Sequence, residues 1–160
     1  MRNSTPLGLG RGSGVELYCD EYATVIADPD GIVVRIVRSP VPHPTPQVLE
    51  DRYMQVTRAM DRYGRLRRGL LLDMRHAVGR NEPEYDEPLR RSRQRNDAGF
   101  ARIAVLLRSQ AGMLQLMRLS DEDGTVRLIT MNEGAAVDYL RYGTVPAEAR
   151  PPTGRNEMRR

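Results

Sequence analysis

Two uninterrupted apolar runs, "GLLL" at 69–72 and "IAVLL" at 103–107, constrain this chain more than any other feature of it. A strand with one face in water alternates apolar and polar residues. A continuous run therefore suits a strand covered on both faces, as in a parallel sheet with helices packed on it. The segments around the runs have the helical period that such an arrangement requires. Leu49, Tyr53, Val56, Met60 and Tyr63 fall on one face of a helix, with Thr45 placed to cap it, Pro46 in its first turn and Gly64 at its end. "SQAGMLQLMRL" starts at a Ser cap and reads as a second helix, with "DEDG" as the turn after it. "TVRLIT" is a short final strand, and "NEGAAVDYLRYG" is a helix from the Asn132 cap to the Gly143 stop.

Ahead of these, "VELYCD", "YATVIAD" and "IVVRIVRS" read as short strands, the last two joined by the turn "DPDG". The alternate prolines of "PVPHPTP" then forbid regular pairing. The predicted order is β-β-β-α-β-α-β-α-β-α. That is an α/β fold with a mixed, mostly parallel central sheet, an antiparallel N-terminal hairpin and about four helices. Residues 1–13 read as a flexible tail, 14–143 as one domain and 144–160 as a flexible Arg/Pro-rich tail.

The net charge of +4 lies in those tails. Arg2 and Arg11 have no acid beside them, and Arg150, Arg155, Arg159 and Arg160 face only Glu148 and Glu157. Residues 14–143 therefore hold 19 basic and 19 acidic residues. A folded nucleic-acid binder carries its basic surface on the domain, so nucleic acid is not the expected partner. All 25 basic residues are Arg, which we read as composition rather than function. No apolar run approaches the roughly 18 residues of a membrane span. The single cysteine, Cys19, allows no internal disulfide, and a cytoplasmic location is expected. The two histidines, His43 and His76, have no metal-ligand spacing, so neither a metal nor a cofactor is expected.

The β-β-β-α opening, the "LLLDMR" strand, the charged turn and helix after it, and "ARIAVLLRS" together resemble the STAS-like fold. More narrowly they resemble the SpoIIAA-like group of small bacterial anti-sigma-factor antagonists, over residues 14–143. The resemblance implies a non-enzymatic regulatory domain that works by binding another protein in bacterial signalling. It also implies a phosphorylatable Ser or Thr at the start of the helix after "LLLDM". Here that turn runs Arg75, His76, Ala77, Val78, Gly79, Arg80, Asn81, Glu82, Pro83, Glu84, and Tyr85 carries the only hydroxyl between Asp73 and Ser92. The usual phospho-switch is therefore not expected. Glu82 and Glu84 could fix permanently the charge that a phosphate would supply.

Read from the residues alone, the turn is a capped helix start. Asn81 and Glu84 have capping-box spacing, the acids of 82–87 suit the positive end of a helix dipole, and the arginines of 90–95 suit the negative end. Glu87 with Arg91 and Asp86 with Arg90 are spaced for i,i+4 ion pairs. Pro88 points to a helix proper that begins near Asp86. On the functional side, Arg75, His76 and Arg80, joined by Asn81, Glu82 and Glu84, form the candidate partner- or anion-binding group, although the acids would repel an anion.

Catalysis has no candidate set. Asp73 and His76 stand close, but Ser92 reads as a helix-face residue and Cys19 as buried on the first strand. His43 reads as a loop residue, the methionines of "GMLQLM" as packing, and "RRSRQR" with Arg93 as a solvated helix face. A small-ligand pocket between sheet and helices is the alternative reading. It would show as an apolar cavity near Tyr53 and Tyr63.

Overall fold

The computed structural model describes residues 14–147. The expected tail 1–13 lies outside them, as does most of 144–160. Six strands form one sheet in sequential order: β1 Val15–Cys19, β2 Ala23–Ala27, β3 Val33–Arg38, β4 Gly69–Asp73, β5 Arg102–Leu106 and β6 Leu128–Thr130. β1, β2 and β3 pair antiparallel, and β3, β4, β5 and β6 pair parallel. The helices are α1 Pro46–Tyr63, α2 Asp86–Asp97, α3 Gln110–Asp123 and α4 Glu133–Tyr142. This is the α/β architecture expected from the continuous apolar runs.

A sequential order of parallel strands with right-handed crossovers places the connecting helices on one face of the sheet. α1, α2 and α3 lie on that face. There Val34, Ile36, Leu70 and Ile103 pack against Val56 and Met60 of α1. α4 follows the last strand and folds back over the other face, where Ala136, Tyr139 and Leu140 cover Val33, Leu71, Ala104 and Leu128. Gly69 is required here, because a Cβ at this position would lie 2.8 Å from Cβ of Leu140.

The caps follow the sequence at three helices. Thr45, Ser109 and Asn132 accept from Val48, Gly112 and Ala135 N–H groups, and Gly143 closes α4 with φ 74°. α3 runs one turn further than expected. Asp121, Glu122 and Asp123 are helical rather than part of a turn, and the left-handed Gly124 ends the helix. Asp123 is drawn inward because its carboxylate meets Arg127 at 3.1 Å.

The start of α2 departs from the expected capping box. Pro83–Tyr85 form a single 3-10 turn with no side-chain cap, and α2 proper begins at Asp86, as Pro88 suggested. Asn81 caps nothing with its side chain; instead its backbone N–H donates to Glu82 Oε2 at 3.1 Å. Arg90 pairs with Glu87 at i,i+3 rather than with Asp86, while the Glu87–Arg91 pair forms at 3.4 Å. The C-terminal end of α2 is held from outside: Nη1 of Arg65 donates to the carbonyls of Arg95, Asn96 and Ala98.

Candidate functional site: an arginine-lined cavity between sheet and helices

On the α1–α3 face the parallel strands β3, β4 and β5 end beneath an unfilled space of about 460 Å³. Its floor is apolar, made by Leu72, Met74, Val105 and Leu107. Leu49 and Tyr53 of α1 form one side, and Leu116 and Leu119 of α3 the opposite side. The turn after β4 lies across it with Ala77, Val78, Gly79 and Arg80. The position, at the carboxyl ends of parallel strands, is the end of the sheet at which open α/β folds bind ligands. The volume lies within the range of small-molecule sites.

α2 supplies the remaining wall, and its contribution is polar. Leu89, Ser92, Arg93, Asn96 and Asp97 repeat at helical spacing and all line the cavity. Ser92 and Asp97 are 2% and 6% exposed. Asn96 is held by the hydroxyl of Thr57, which donates to its Oδ1 at 2.9 Å. Oδ2 of Asp97 accepts from Nε of Arg127 at 2.8 Å and again from Nη2. Burial pushes the Asp97 carboxyl upward although Arg127 opposes it. Arg93 lies 3.8 Å from Asp123. The expectation of a solvated face is thus corrected for Ser92 and Arg93, because the helix crosses a sheet and must turn one side inward.

Four buried side-chain polar atoms in the described residues have no hydrogen-bond partner: Arg80 Nε, Ser92 Oγ, Arg93 Nε and Asp97 Oδ1. All four residues line this cavity. Buried polar groups are nearly always paired, so a concentration of unfilled capacity in one wall marks a place where something else is bound.

Among the described residues six arginines line the space, Arg38, Arg75, Arg80, Arg93, Arg108 and Arg127, against Asp97 as the one acid. Arg75 and Arg127 are neutralised by Asp73 and by Asp97 with Asp123. Arg38 is 6% exposed and has no carboxylate in ion-pair contact among the described residues. Its Nη1 donates to the Tyr22 carbonyl at 2.9 Å, its Nη1 and Nη2 lie 3.4 and 3.5 Å from Nε2 and Nδ1 of His43, and its guanidinium is 5.7 Å from the centre of the Tyr53 ring. His43, itself buried, stacks on Tyr22 at 4.4 Å. Burial and the neighbouring arginines lower the pKa of His43 to about 4, so its ring is neutral near pH 7. Arg108 stands exposed at the rim with no acid partner among the described residues.

The candidate residues read from the turn divide between this cavity and the surface. Arg75 and Arg80 line the cavity. Arg75 binds Asp73 through Nε and Nη2, and also reaches Glu133 at 3.2 Å. Burial alone would raise the Asp73 carboxyl, but the Arg75 bonds hold it below its ordinary value. Arg80 packs 4.6 Å over the Tyr85 ring, donates to the His43 carbonyl, and meets Glu82 at 2.9 Å. His76, Asn81, Glu82 and Glu84 are exposed and do not line the cavity. Tyr85, the only hydroxyl of the stretch, is buried and donates to the His43 carbonyl at 3.1 Å. Tyr53 lines the cavity as the pocket reading expected, whereas Tyr63 does not. Cys19, read as buried, is exposed, because β1 is the sheet edge.

Sequence reasoning missed Arg38, Ser92, Asp97, Arg108 and Arg127. A signal for the α2 residues was present. Among its 12 residues only Pro88 and Leu89 are apolar, yet it connects two buried strands. A helix in that position with nothing apolar to bury must turn polar side chains inward. No helix of the described residues is long and apolar enough to cross a membrane, and no group of metal-binding side chains occurs among them. Comparison with protein-family models, with curated proteins and with solved structures found no match.

Proposed function

We propose that this chain is a non-enzymatic binding domain whose ligand is a small amphiphilic anion, held in the cavity between the sheet and α1, α2 and α3. The observation that carries the reading is Arg38, a buried guanidinium with no carboxylate partner among the described residues, in the wall of an apolar-floored space. A buried charge left unpaired is costly, and an anionic ligand would supply the missing partner. The apolar floor would take the body of the same molecule. The two separate alternatives read from the sequence, a lipophilic pocket and an anion site at the turn after β4, then describe the two ends of one site.

A binding role is favoured over catalysis by the state of the hydroxyls. Ser92 Oγ has no hydrogen-bond partner and hence no base to activate it, and Ser109 Oγ is engaged in capping α3. Titration calorimetry with dodecanoate and with the uncharged dodecanol tests the proposal. Saturable binding of the acid alone is expected, weakened at least tenfold by Arg38→Gln and less by Arg108→Gln. Equal binding of acid and alcohol, or none of either, would overturn it.

A regulatory protein partner, which the resemblance to anti-sigma-factor antagonists implies, is the second reading. It is favoured by α3, which leaves Leu114 62% exposed beside the cavity. On this reading a bacterial, cytoplasmic signalling domain would present or withdraw α3 according to occupancy.

A further inference from the structure

The arginines account for one end of a ligand, but the α2 wall is of different character. Asp97 is an acceptor, not a donor, and its two oxygens are used unequally. Oδ2 takes both Arg127 bonds, while Oδ1 takes none. Five residues earlier on the same helix, Ser92 Oγ is also unpartnered. Both residues are more than nine-tenths buried and both line the cavity. Simple anions offer nothing to a carboxylate; they repel it. A cavity built only for an apolar anion would place an apolar side chain or a donor at 97.

We infer that the cavity ligand carries, in addition to its anionic group, an O–H or N–H donor that Asp97 and Ser92 accept: a hydroxylated or aminated small organic acid. This rests on the reading of the cavity as an anion site and adds a second polar end to it. The position of Asp97 is fixed independently of any ligand. Arg127, with a side chain 1% exposed, bridges Asp97 to Asp123 and to Ser120 Oγ, and Thr57 fixes the neighbouring Asn96. The acceptor is therefore held in place before binding, and orientation comes at little entropic cost. A ligand lacking the donor would leave Oδ1 unfilled, and sites built to hydrogen-bond a hydroxyl reject analogues that lack it far more strongly than apolar pockets reject a missing methylene.

The test compares dodecanoate with ω-hydroxydodecanoate by titration calorimetry on the full chain. The hydroxy acid is expected to bind at least tenfold more tightly. Ser92→Ala should reduce that ratio severalfold. Asp97→Asn, checked for folding by circular dichroism, should bring the ratio close to one. If Asp97→Asn does not fold, the Ser92→Ala ratio decides. Equal affinities for the two acids would overturn the donor requirement and leave the anion site standing. Absence of binding by either acid would overturn both.

Discussion

The two faces of the sheet are built from the same strands and finished differently. Under α4, Leu71, Ala104, Leu106 and Leu128 meet Tyr139 and Leu140, and Gly69 lets the helix approach closely. Under α1, α2 and α3, the layer one residue along, Leu72 and Val105, meets an unfilled space walled by arginines, a serine and an aspartate. Leu71 is 1% exposed, whereas its neighbour Leu72 is only partly buried. Stability and binding are thereby assigned to opposite sides of one sheet. The α4 face is packed to exclude everything, and the other is packed only where α1 lies, against residues of β2, β3, β4 and β5.

The sharpest way to break this comparison is to truncate the two leucines. Leu71→Ala should cost about 2–5 kcal/mol, since it opens a void in closed packing. Leu72→Ala, which enlarges a space already present, should cost about 1 kcal/mol. Urea denaturation of both variants measures the difference, and equal losses would mean that the two faces are equally filled.

Acid sensitivity should also have a source on the cavity side, in buried His43. The folded-state pKa of His43 lies near 4 against 6.5 for the free side chain, so protonation favours the unfolded chain. Its contribution is complete above pH 6.5 and is lost as pH falls from there towards 4. At about 1.4 kcal/mol per unit, the loss is roughly 3 kcal/mol by pH 4. Denaturation of the parent and of His43→Gln across that range should show the slope in the parent and a flatter line in the variant. Parallel curves would remove His43 as the source.

The smallest effect carries the opposite sign. Ser92→Ala removes a buried hydroxyl that bonds to nothing, so the unliganded protein should be unchanged or up to about 1 kcal/mol more stable. A gain in thermal stability together with a loss of discrimination between hydroxy acid and acid would mark a position kept for binding at the expense of stability. A clear loss of stability would show that Ser92 is structural.

The fold was legible because its signals are local. The continuous run at 69–72, the periodicity of α1, and the caps Thr45, Ser109 and Asn132 each concern a few neighbouring residues, and each settles one element. The site was legible in part. Arg75 and Arg80 were singled out from the charge crowding the turn, and Tyr53 from its helical face. Arg38, Arg108 and Arg127 were not, since each is an ordinary strand-end or loop arginine until the sheet brings it to the others. Along α2 the local signal misled. The order of acids and arginines has a sufficient explanation in the helix dipole and in pairs such as Glu87–Arg90, and that explanation says nothing of which side faces inward. Only the paucity of apolar residues in a helix between two buried strands pointed to an internal polar wall.

The grip of Arg65 on the last carbonyls of α2, together with the Thr57–Asn96 bond, has a thermodynamic consequence. It makes α1 and α2 a single preordered wall, so binding orders little there. α3 is different, with Ser120 its only buried residue. The conformational entropy lost on binding should therefore fall mainly on α3, and the heat-capacity change should report its apolar side chains closing over the ligand rather than any movement of the arginines.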